Sequence, residues 1–351
     1  MRDSTSKVPT GAVRYNTDSN KMEVYVGGTW MIVSVSSPNL ATSSGTPPDT
    51  GAGARGFAIG GNTQPGGVND KIDFINIASA GNAQDFGDMV SGLFASAGMS
   101  SRTRAVVSGG RQTPGNTSDI QYLTMSSTGG TVDWGVNPLN SLSYGSGAVS
   151  NQTRGITMGG YNTSNSLLDD IQFLTIASAG YINDFGDIST ATGYVSSVNS
   201  PTRGLVNGGT QPALVNTIEF ISIASTGYAQ DFGDLSVLGY RSGGCMSSTR
   251  GLIAFGQTPA GDGRKNIDFV TIATLGNGAD FGDLTVVGQH PVGTSDSVRG
   301  VWLVRQNQSP YNDNEVIDYN IIATKGDAID FGNLTEGTSM PASASTGHGG
   351  L

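Results

Sequence analysis

The stretch AQDFGDL occupies residues 229–235, and its central tripeptide Asp-Phe-Gly returns along the chain. Five copies are Asp-Phe-Gly and a sixth is Asp-Trp-Gly; the copies begin at Asp85, Asp133, Asp184, Asp231, Asp280 and Asp330. A single catalytic centre has use for one such tripeptide. Six copies therefore indicate a structural repeat, and the repeat decides the fold.

A recurrent arginine accompanies each copy of the tripeptide and is usually followed by glycine. The six residues are Arg55, Arg104, Arg154, Arg203, Arg250 and Arg299. Successive arginines are separated by 49, 50, 49, 47 and 49 positions, so the period is close to fifty residues. A fixed period of this length is typical of repeat architectures. We number the repeats from one to six by these arginines.

The composition favours strands and turns. Of 351 residues 53 are glycine, roughly twice the usual share, and 13% are charged, about half of it. The net charge of −10 argues against a nucleic-acid partner, which requires clustered Lys and Arg. No stretch has the apolar length of a membrane span, and the N-terminus lacks the apolar core of a secretory signal. We expect a soluble protein without membrane insertion, and Cys245 alone allows no internal disulfide.

The order of segments within a repeat predicts four strands. In residues 241–284 a small-residue segment, GGCMSS, is followed by RGLIAFG, IDFVTIAT and the short DFGDL, with turn-rich loops between them. Segments such as IDFINI at 72–77 are apolar on both faces, which is typical of strands packed between two sheets. These features predict an all-β fold, a six-bladed β-propeller with four-stranded blades.

The two ends of the chain predict how this propeller closes. Repeat one lacks a first strand before Arg55, whereas the surplus segment SMPASAS at 339–345 follows the last tripeptide. We expect this C-terminal segment to complete the first blade, which would remove an open sheet edge. The expected domains are an N-terminal β-hairpin element at 1–36, a linker at 37–53 and the propeller at 54–351.

Gly-Gly pairs end the second strand in four of the repeats: FAIGG (57–61), VVSGG (106–110), ITMGG (156–160) and LVNGG (205–209). Through these pairs the repeats resemble kelch repeats over about residues 51–351. Repeats five and six depart from the pattern, with Phe255-Gly256-Gln257 and Val304-Arg305-Gln306 at that place. The resemblance implies kelch-like blades.

The tripeptide has a structural interpretation in such a blade. The aromatic residue is expected to fill the wedge between blades, and the glycine to supply a positive φ at a turn or bulge. The aspartate is expected to accept backbone N–H bonds or to pair with the recurrent arginine. The alternative is one divalent-ion site per blade, which would need more carboxylate ligands than each repeat offers.

The residues give little support to catalysis, and we expect no enzyme, cofactor or metal. His290 and His348 are the only histidines, and the chain has no Cys-x-x-Cys metal motif and no Gly-x-Ser-x-Gly elbow. Some kelch-like rings are copper radical oxidases that use two histidines and a Tyr–Cys pair, and this remains a remote alternative. Both histidines are expected at the surface or at strand ends.

The N-terminal segment GAVRYNTDSNKMEVYVGGTW at 11–30 predicts a small hairpin, which is marginal in water without a partner or a second copy. It resembles an element of tailed-bacteriophage virion proteins through Gly11, Arg14, Tyr15, Asn16, Thr17, Lys21, Glu23, Tyr25, Gly28 and Trp30. The resemblance implies docking to other virion proteins by Arg14, Tyr15, Tyr25 and Trp30.

Kelch-like rings with DFGDL tripeptides also resemble structural proteins of phages that infect marine bacteria. This resemblance implies a virion protein, assembled in the host cytoplasm and homo-oligomeric in the particle. A tail fibre or receptor-binding appendage is the expected role, and a capsid decoration or head-fibre protein is the alternative. Irregular loops after the second strands predict a binding face for a host-surface glycan or protein. Its candidate residues are Arg111, Tyr161, Asn162, Tyr311 and Asn312.

Overall fold

The computed structural model describes residues 8–16, 21–26, 28–32, 54–63, 67–112, 115–137, 144–178, 181–306 and 314–351. The chain divides into two compact units, Met1–Ala52 and Gly53–Leu351. The described residues form β-strands and no helix, which confirms the all-β class. Tyr311 and Asn312, two of the predicted binding residues, lie outside the described residues.

The small unit is a three-stranded antiparallel sheet. Its strands are β1 (Val13–Asn16), β2 (Lys21–Val26) and β3 (Thr29–Ile32), paired in that order. Arg14 pairs in register with Glu23, and Tyr25 pairs with Trp30. Strands β1 and β2 are the predicted hairpin, and β3 extends it.

The large unit contains the remaining strands. Repeats one to three supply β4 (Arg55–Thr63), β5 (Gly67–Asn76), β6 (Gln84–Asp88), β7 (Ala97–Ser100), β8 (Arg104–Gln112), β9 (Gly115–Thr124), β10 (Val132–Val136), β11 (Gly147–Ser150), β12 (Arg154–Met158), β13 (Asp170–Thr175) and β14 (Asn183–Asp187). Repeats four to six and the C-terminus supply β15 (Ser196–Asn199), β16 (Arg203–Thr210), β17 (Leu214–Ser222), β18 (Gln230–Asp234), β19 (Gly243–Met246), β20 (Arg250–Ala254), β21 (Arg264–Thr271), β22 (Ala279–Ser295), β23 (Arg299–Gln306), β24 (Asn314–Ile321), β25 (Ile329–Thr338) and β26 (Ala342–Ser345).

The strands pair into antiparallel sheets that follow the repeat. Four sheets have four strands each: β26-β4-β5-β6, β7 to β10, β11 to β14, and β15 to β18. Strands β19 to β25 form one seven-stranded sheet, because β22 ends repeat five and continues as the first strand of repeat six. The pairing of β22 with β23 shifts between Gln289 and Val292, where His290 has a φ of 55°.

The first strand of the first sheet comes from the C-terminus. Strand β26 pairs antiparallel with β4, with Ala342 opposite Ile59 and Ser345 opposite Gly56. The N-terminal and C-terminal ends of the large unit therefore share one sheet.

Each hydrophobic core is shared by consecutive repeats. Phe57 and Ile59 of β4 pack in one cluster with Val107 of repeat two, whereas Ala58 packs in another with Val301 of repeat six. Side chains alternate along a strand, so a strand between two neighbours must be apolar on both faces. The two-sided apolar pattern of the sequence has this origin.

The recurrent arginines also join consecutive repeats, but their partners are carbonyl groups. Each Nη1 donates to the backbone oxygen of the residue that follows the third strand of the next repeat. The pairs are Arg55 with Met125, Arg104 with Ile176, Arg154 with Ile223, Arg203 with Ile272, Arg250 with Ile322 and Arg299 with Ile77. Each guanidinium also lies over an aromatic ring of its own third strand, as Arg203 does over Phe220 at 4.4 Å. These contacts hold the cation beside a carbonyl of the neighbouring sheet.

The predicted pairing of these arginines with the tripeptide aspartates is wrong. Within the described residues, the ion pairs do not include any of the recurrent arginines. The tripeptide aspartates are exposed to solvent instead. Asp133 accepts a hydrogen bond from the backbone of Gly135 at 2.9 Å, as expected for a local turn.

The tripeptide itself forms a β-bulge. In repeat four Ile218 pairs with Gly233 while Glu219 pairs with Asp231, so Phe232 is the additional residue on its strand. Gly233 has a φ of 146°, a value that disfavours residues with a side chain. Phe232 is buried in the cluster shared with repeat five, where it contributes about 1.5–3 kcal/mol.

Candidate ligand-binding site

The first strands of the repeats line a cavity of about 170 Å³, which we call the inner cavity. Its walls are residues 96–100, 146–150, 195–199, 242–246, 291–295 and 341–345, with gaps, and His348. Most of these residues are Gly, Ala, Ser or Thr. A cavity of this size has room for several water molecules.

Close packing of the first strands explains these small residues. A side chain at Gly244 or Gly293 would come within 2.5 Å of the backbone of the neighbouring first strand. Hydroxyl groups then join adjacent strands: Ser343 Oγ donates to the carbonyl of Gly293 at 2.8 Å, and Ser197 Oγ to that of Ala148 at 2.6 Å. The small-residue segments are therefore required by strand spacing.

His348 lies where the first strands end. Its Nε2 is 3.1 Å from the carbonyl oxygen of Ser100 and 3.2 Å from Ser150 Oγ, and its Nδ1 accepts the N–H of Gly350 at 3.1 Å. Burial lowers the pKa of His348 to about 4. The C-terminal residues thus cover this end of the inner cavity.

Six residues with left-handed backbone surround the opposite end, which we call the mouth. Five of them lie two residues before a first strand, and His290 occupies the corresponding place within β22; the six are Ala95, Gly145, Tyr194, Arg241, His290 and Met340, with φ between 50° and 66°. These residues, the mouth ring, line a recess of about 110 Å³ that shares Ser96 and Ser242 with the inner cavity. Left-handed backbone is costly for residues other than Gly, Asn and Asp, and such outliers concentrate at binding sites.

Arg241 and His290 meet at this mouth. Arg241 Nη1 donates to His290 Nε2 at 3.0 Å and to Gln257 Oε1 at 3.3 Å. The guanidinium lies 4.9 Å from the ring of Tyr194 and 5.0 Å from that of Tyr240. Burial and the adjacent cation lower the pKa of His290 to about 3, so its ring is neutral.

Three buried polar atoms at the mouth have no hydrogen-bond partner in the described part of the chain. They are Arg241 Nε, Ser242 Oγ and Ser96 Oγ. Buried polar groups are nearly always hydrogen-bonded, so each such atom requires an explanation.

A row of aromatic and cationic side chains extends outward from the mouth. This tyrosine–arginine face consists of Arg111, Tyr144, Tyr161, Tyr194, Tyr240 and Arg241. Tyr144 and Tyr161 stack with ring centroids 4.9 Å apart, and Tyr161 contacts Tyr194 at 5.4 Å. Arg111 lies 5.1 Å from the Tyr144 ring. The face therefore presents four contacting rings with a cation at each end.

Sequence analysis had already selected two residues of this face, Arg111 and Tyr161, as candidate binding residues. Tyr161 is half-buried, and burial raises its pKa to about 12. Asn162 uses its side-chain oxygen within its own loop, where it accepts the N–H groups of Ser164 and Ser166 at 2.9 Å. Tyr161 and Arg111 therefore belong to one face, whereas the oxygen of Asn162 shapes a loop.

Sequence reasoning missed Tyr194, Arg241 and His290. Both histidines are buried, with 4% exposure for His290 and 8% for His348, so neither is a surface residue, although both lie at strand ends, the other position predicted for them. The mouth-ring residues do recur at regular intervals of 50, 49, 47, 49 and 50 positions. They share a left-handed backbone but not a residue type, so the sequence alone does not single them out.

The two histidines lie at opposite ends of the four-residue first strands, roughly 13 Å apart along a strand. Such a separation does not allow one metal ion to bind both. Cys245 is buried, its thiol donates to the carbonyl oxygen of Thr294 at 3.3 Å, and burial raises its pKa. In the described residues, no group of three or more His, Cys, Asp and Glu could hold a metal ion.

The small sheet places its predicted docking residues on two faces. Arg14 lies 4.1 Å from the Trp30 ring and binds Glu23 at 2.7 Å, and Tyr25 contacts Trp30 edge-on at 5.2 Å. Tyr15 points to the other face and is 54% exposed, together with the exposed side chains Val13 and Met31. This second face is largely apolar.

No protein-family model matches the chain, and no curated protein matches it. Among the described residues, no helix has the length and apolar character needed to cross a membrane.

Proposed function

We propose that the large unit is a six-bladed β-propeller. Contacts of the sixth repeat with the first support a closed ring: Arg299 donates to the carbonyl of Ile77 at 3.1 Å, and Thr335 Oγ1 donates to Asp73 at 2.7 Å. The arginine–carbonyl bond also joins the earlier repeats in order, and the hydroxyl-to-carboxylate bond joins repeat four to five and repeat five to six. Strand β26 completes the first blade, and the inner cavity is the central channel of the propeller.

The protein is a structural component of a bacteriophage virion, a tail fibre or receptor-binding appendage. The observation that carries this proposal is the division of the chain into a small sheet with the Gly-x-x-Arg-Tyr-Asn-Thr motif and a large repeat unit. The motif resembles an attachment element of virion proteins. The apolar face of the small sheet, with Val13, Tyr15 and Met31, contacts other virion proteins or a second copy of the chain.

The propeller contacts the host surface through its tyrosine–arginine face. Aromatic rings and guanidinium groups are the side chains that most often dominate binding energy at interfaces. Loops held by a regular scaffold are the usual place for such residues.

Labelled antibodies against residues 54–351 test the location on purified particles viewed by electron microscopy. We expect the label at the tail. Label on the capsid supports the alternative, a decoration or head-fibre protein, and absence of the protein from particles overturns the proposal.

Adsorption assays test the adhesive role. Replacing Tyr161 by alanine should reduce adsorption of particles to host cells. Tyr181→Ala is the matched control, because Tyr181 is 83% exposed and belongs to a loop after a third strand, at the other edge of the blades. Equal adsorption of the Tyr161 variant and the wild type would argue against this face.

A further inference from the structure

We propose that the mouth of the inner cavity is a binding site for the carboxylate group of an acidic sugar, with Arg241 as the residue that binds the carboxylate. This inference rests on the proposed function only in assuming that this side of the protein binds a ligand. Binding to purified protein and location on a particle are separate measurements, so either can fail alone.

The first argument is the charge of Arg241. No ion pair in the described residues includes it, and the residues that line the mouth and the inner cavity contain no Asp or Glu. The chain nevertheless has a net charge of −10. A half-buried guanidinium without a carboxylate is a suitable partner for an anion, which it can bind through two parallel N–H bonds.

The second argument is the position of the guanidinium. Nη1 donates hydrogen bonds to His290 and Gln257, while Nε is buried without an acceptor in the described residues. The rings of Tyr194 and Tyr240 hold the group at 4.9 and 5.0 Å. Arg241 is thus fixed before a ligand arrives, which lowers the entropic cost of binding.

The third argument is His290. Because the ring is neutral, its Nε2 accepts a hydrogen bond from Arg241 and orients the guanidinium without adding a second cation. His290 is a positioning residue in this arrangement. Its left-handed backbone, like that of Tyr194 and Arg241, places the three side chains around one recess.

The remaining lining favours a sugar over other carboxylates. Ser96 and Ser242 have buried hydroxyl groups without partners in the described part of the chain, and the wall below them consists mostly of Gly, Ala and Ser residues. Hydroxyl groups can both donate and accept, as the hydroxyl groups of a sugar require. The ring of Tyr194, which lines the recess, offers apolar surface for a sugar ring.

Isothermal titration calorimetry with the full chain tests the proposal. The probes are trimers of galacturonic acid, of glucuronic acid and of N-acetylneuraminic acid, with the neutral galactose trimer as control and triglutamate as the peptide carboxylate. We expect at least one acidic trimer to bind at least tenfold more tightly than the galactose trimer and than triglutamate.

The main variant is Arg241→Asn, since asparagine tolerates left-handed backbone and adds no strain. It should reduce affinity for the acidic trimer at least tenfold and leave the weak binding of the galactose trimer unaltered. Arg102→Ala is the matched control: it removes the same charge from an exposed position near His348, at the other end of the inner cavity, and should bind as the wild type does.

Thermal melting checks that the Arg241 variant is folded. Should it fail to fold, competition on the wild type decides: sodium acetate should displace the acidic trimer, and sodium chloride should weaken binding by screening. Equal binding of acidic and neutral trimers, tighter binding of triglutamate, or unaltered binding by the folded Arg241→Asn variant would each overturn the proposal.

Discussion

At the residue scale, arginine serves two purposes in the large unit. The recurrent arginines lie over an aromatic ring and donate to a carbonyl of the next repeat, as Arg203 does to Ile272 at 3.0 Å. Arg241 also contacts aromatic rings, but its partner is a neutral histidine at the mouth. In the first setting the cation joins sheets, and in the second it remains available to an anion.

Replacing Arg203 by alanine should destabilise the protein. The change removes a hydrogen bond from a charged donor, and such bonds contribute about 1.5–3 kcal/mol to the free energy of unfolding. Urea denaturation measures the loss, and the exposed Arg102→Ala variant should differ little from the wild type. Equal midpoints for Arg203→Ala and wild type would contradict the joining role.

Mild acid should destabilise the protein through its buried histidines. Their pKa values in the folded protein, about 3 for His290 and about 4 for His348, lie below the usual 6.5. The unfolded chain then binds more protons, so this stability is present above pH 6.5 and is lost as pH falls towards those values. From pH 7 to pH 5 the loss is about 2 kcal/mol for each histidine.

The measurement is the thermal midpoint at pH 7 and pH 5. His348→Gln should remove about half of the change, because glutamine does not titrate. The carboxyl groups of Asp73 and Asp268 act in the opposite direction, because burial raises their pKa in the folded protein above the usual 3.8: they add stability as pH falls, and that contribution is complete below 3.8. If the thermal midpoint of His348→Gln falls between pH 7 and pH 5 as much as that of the wild type, His348 does not contribute to the acid sensitivity.

At the element scale, the third strands carry a second link between repeats that sequence reasoning missed. Asp268 accepts the N–H and the hydroxyl of Ser236, each at 2.8 Å, from the preceding repeat. Asp318 and Asp73 bind Thr285 and Thr335 in the same way. The equivalent residues in repeats two to four are Gln121, Gln172 and Glu219. A polar residue at one place in every third strand was the available signal.

The bulge of the tripeptide can be tested with two glycines of repeat four. Gly233 and Gly227 both have a positive φ, of 146° and 156°, but only a side chain at Gly233 would meet a neighbour, at 2.7 Å from the backbone of Gly276. Gly233→Ala should therefore cost about 1–3 kcal/mol more than Gly227→Ala, the additional cost of overpacking. Chemical denaturation compares them, and equal losses would mean that neighbouring sheets can separate at the bulge.

At the scale of the whole molecule, stability depends on contacts between the ends of the large unit. Strand β26 completes the sheet of β4, and its Ala342 and Ala344 belong to the cluster that contains Phe57. Residues of repeat six form the adjacent cluster with Ala58 and Ile75. The first and last repeats are therefore one packing unit, although most of the chain lies between them.

Deleting residues 338–351 should expose the edge of β4 and lower the thermal midpoint by on the order of 10 °C, which corresponds to roughly 5 kcal/mol. Aggregation is also expected, because an open edge pairs with other chains. Deleting only 347–351 is the control, since it retains β26, and its midpoint should fall less. An unchanged midpoint after the longer deletion would contradict this role of β26.

The sequence by itself determined the strand content, the period near fifty and the position of the bulge. These properties are local: alternation of apolar residues, turn residues and a glycine with positive φ act within a few neighbours. Sequence reasoning also selected Tyr161 and Arg111, two residues of the tyrosine–arginine face, because their loops interrupt a regular repeat.

Only the tertiary structure decided which side chains meet. Arg241 and His290 are 49 positions apart and belong to different repeats, yet their nitrogens are 3.0 Å apart at the mouth. The recurrent arginines found carbonyl groups because the sheets pack face to face, whereas the tripeptide aspartates remain in water. His348 is buried because the C-terminal residues lie across the ends of the first strands. Such contacts depend on how strands from distant repeats are brought together, and local patterns carry no information about that arrangement.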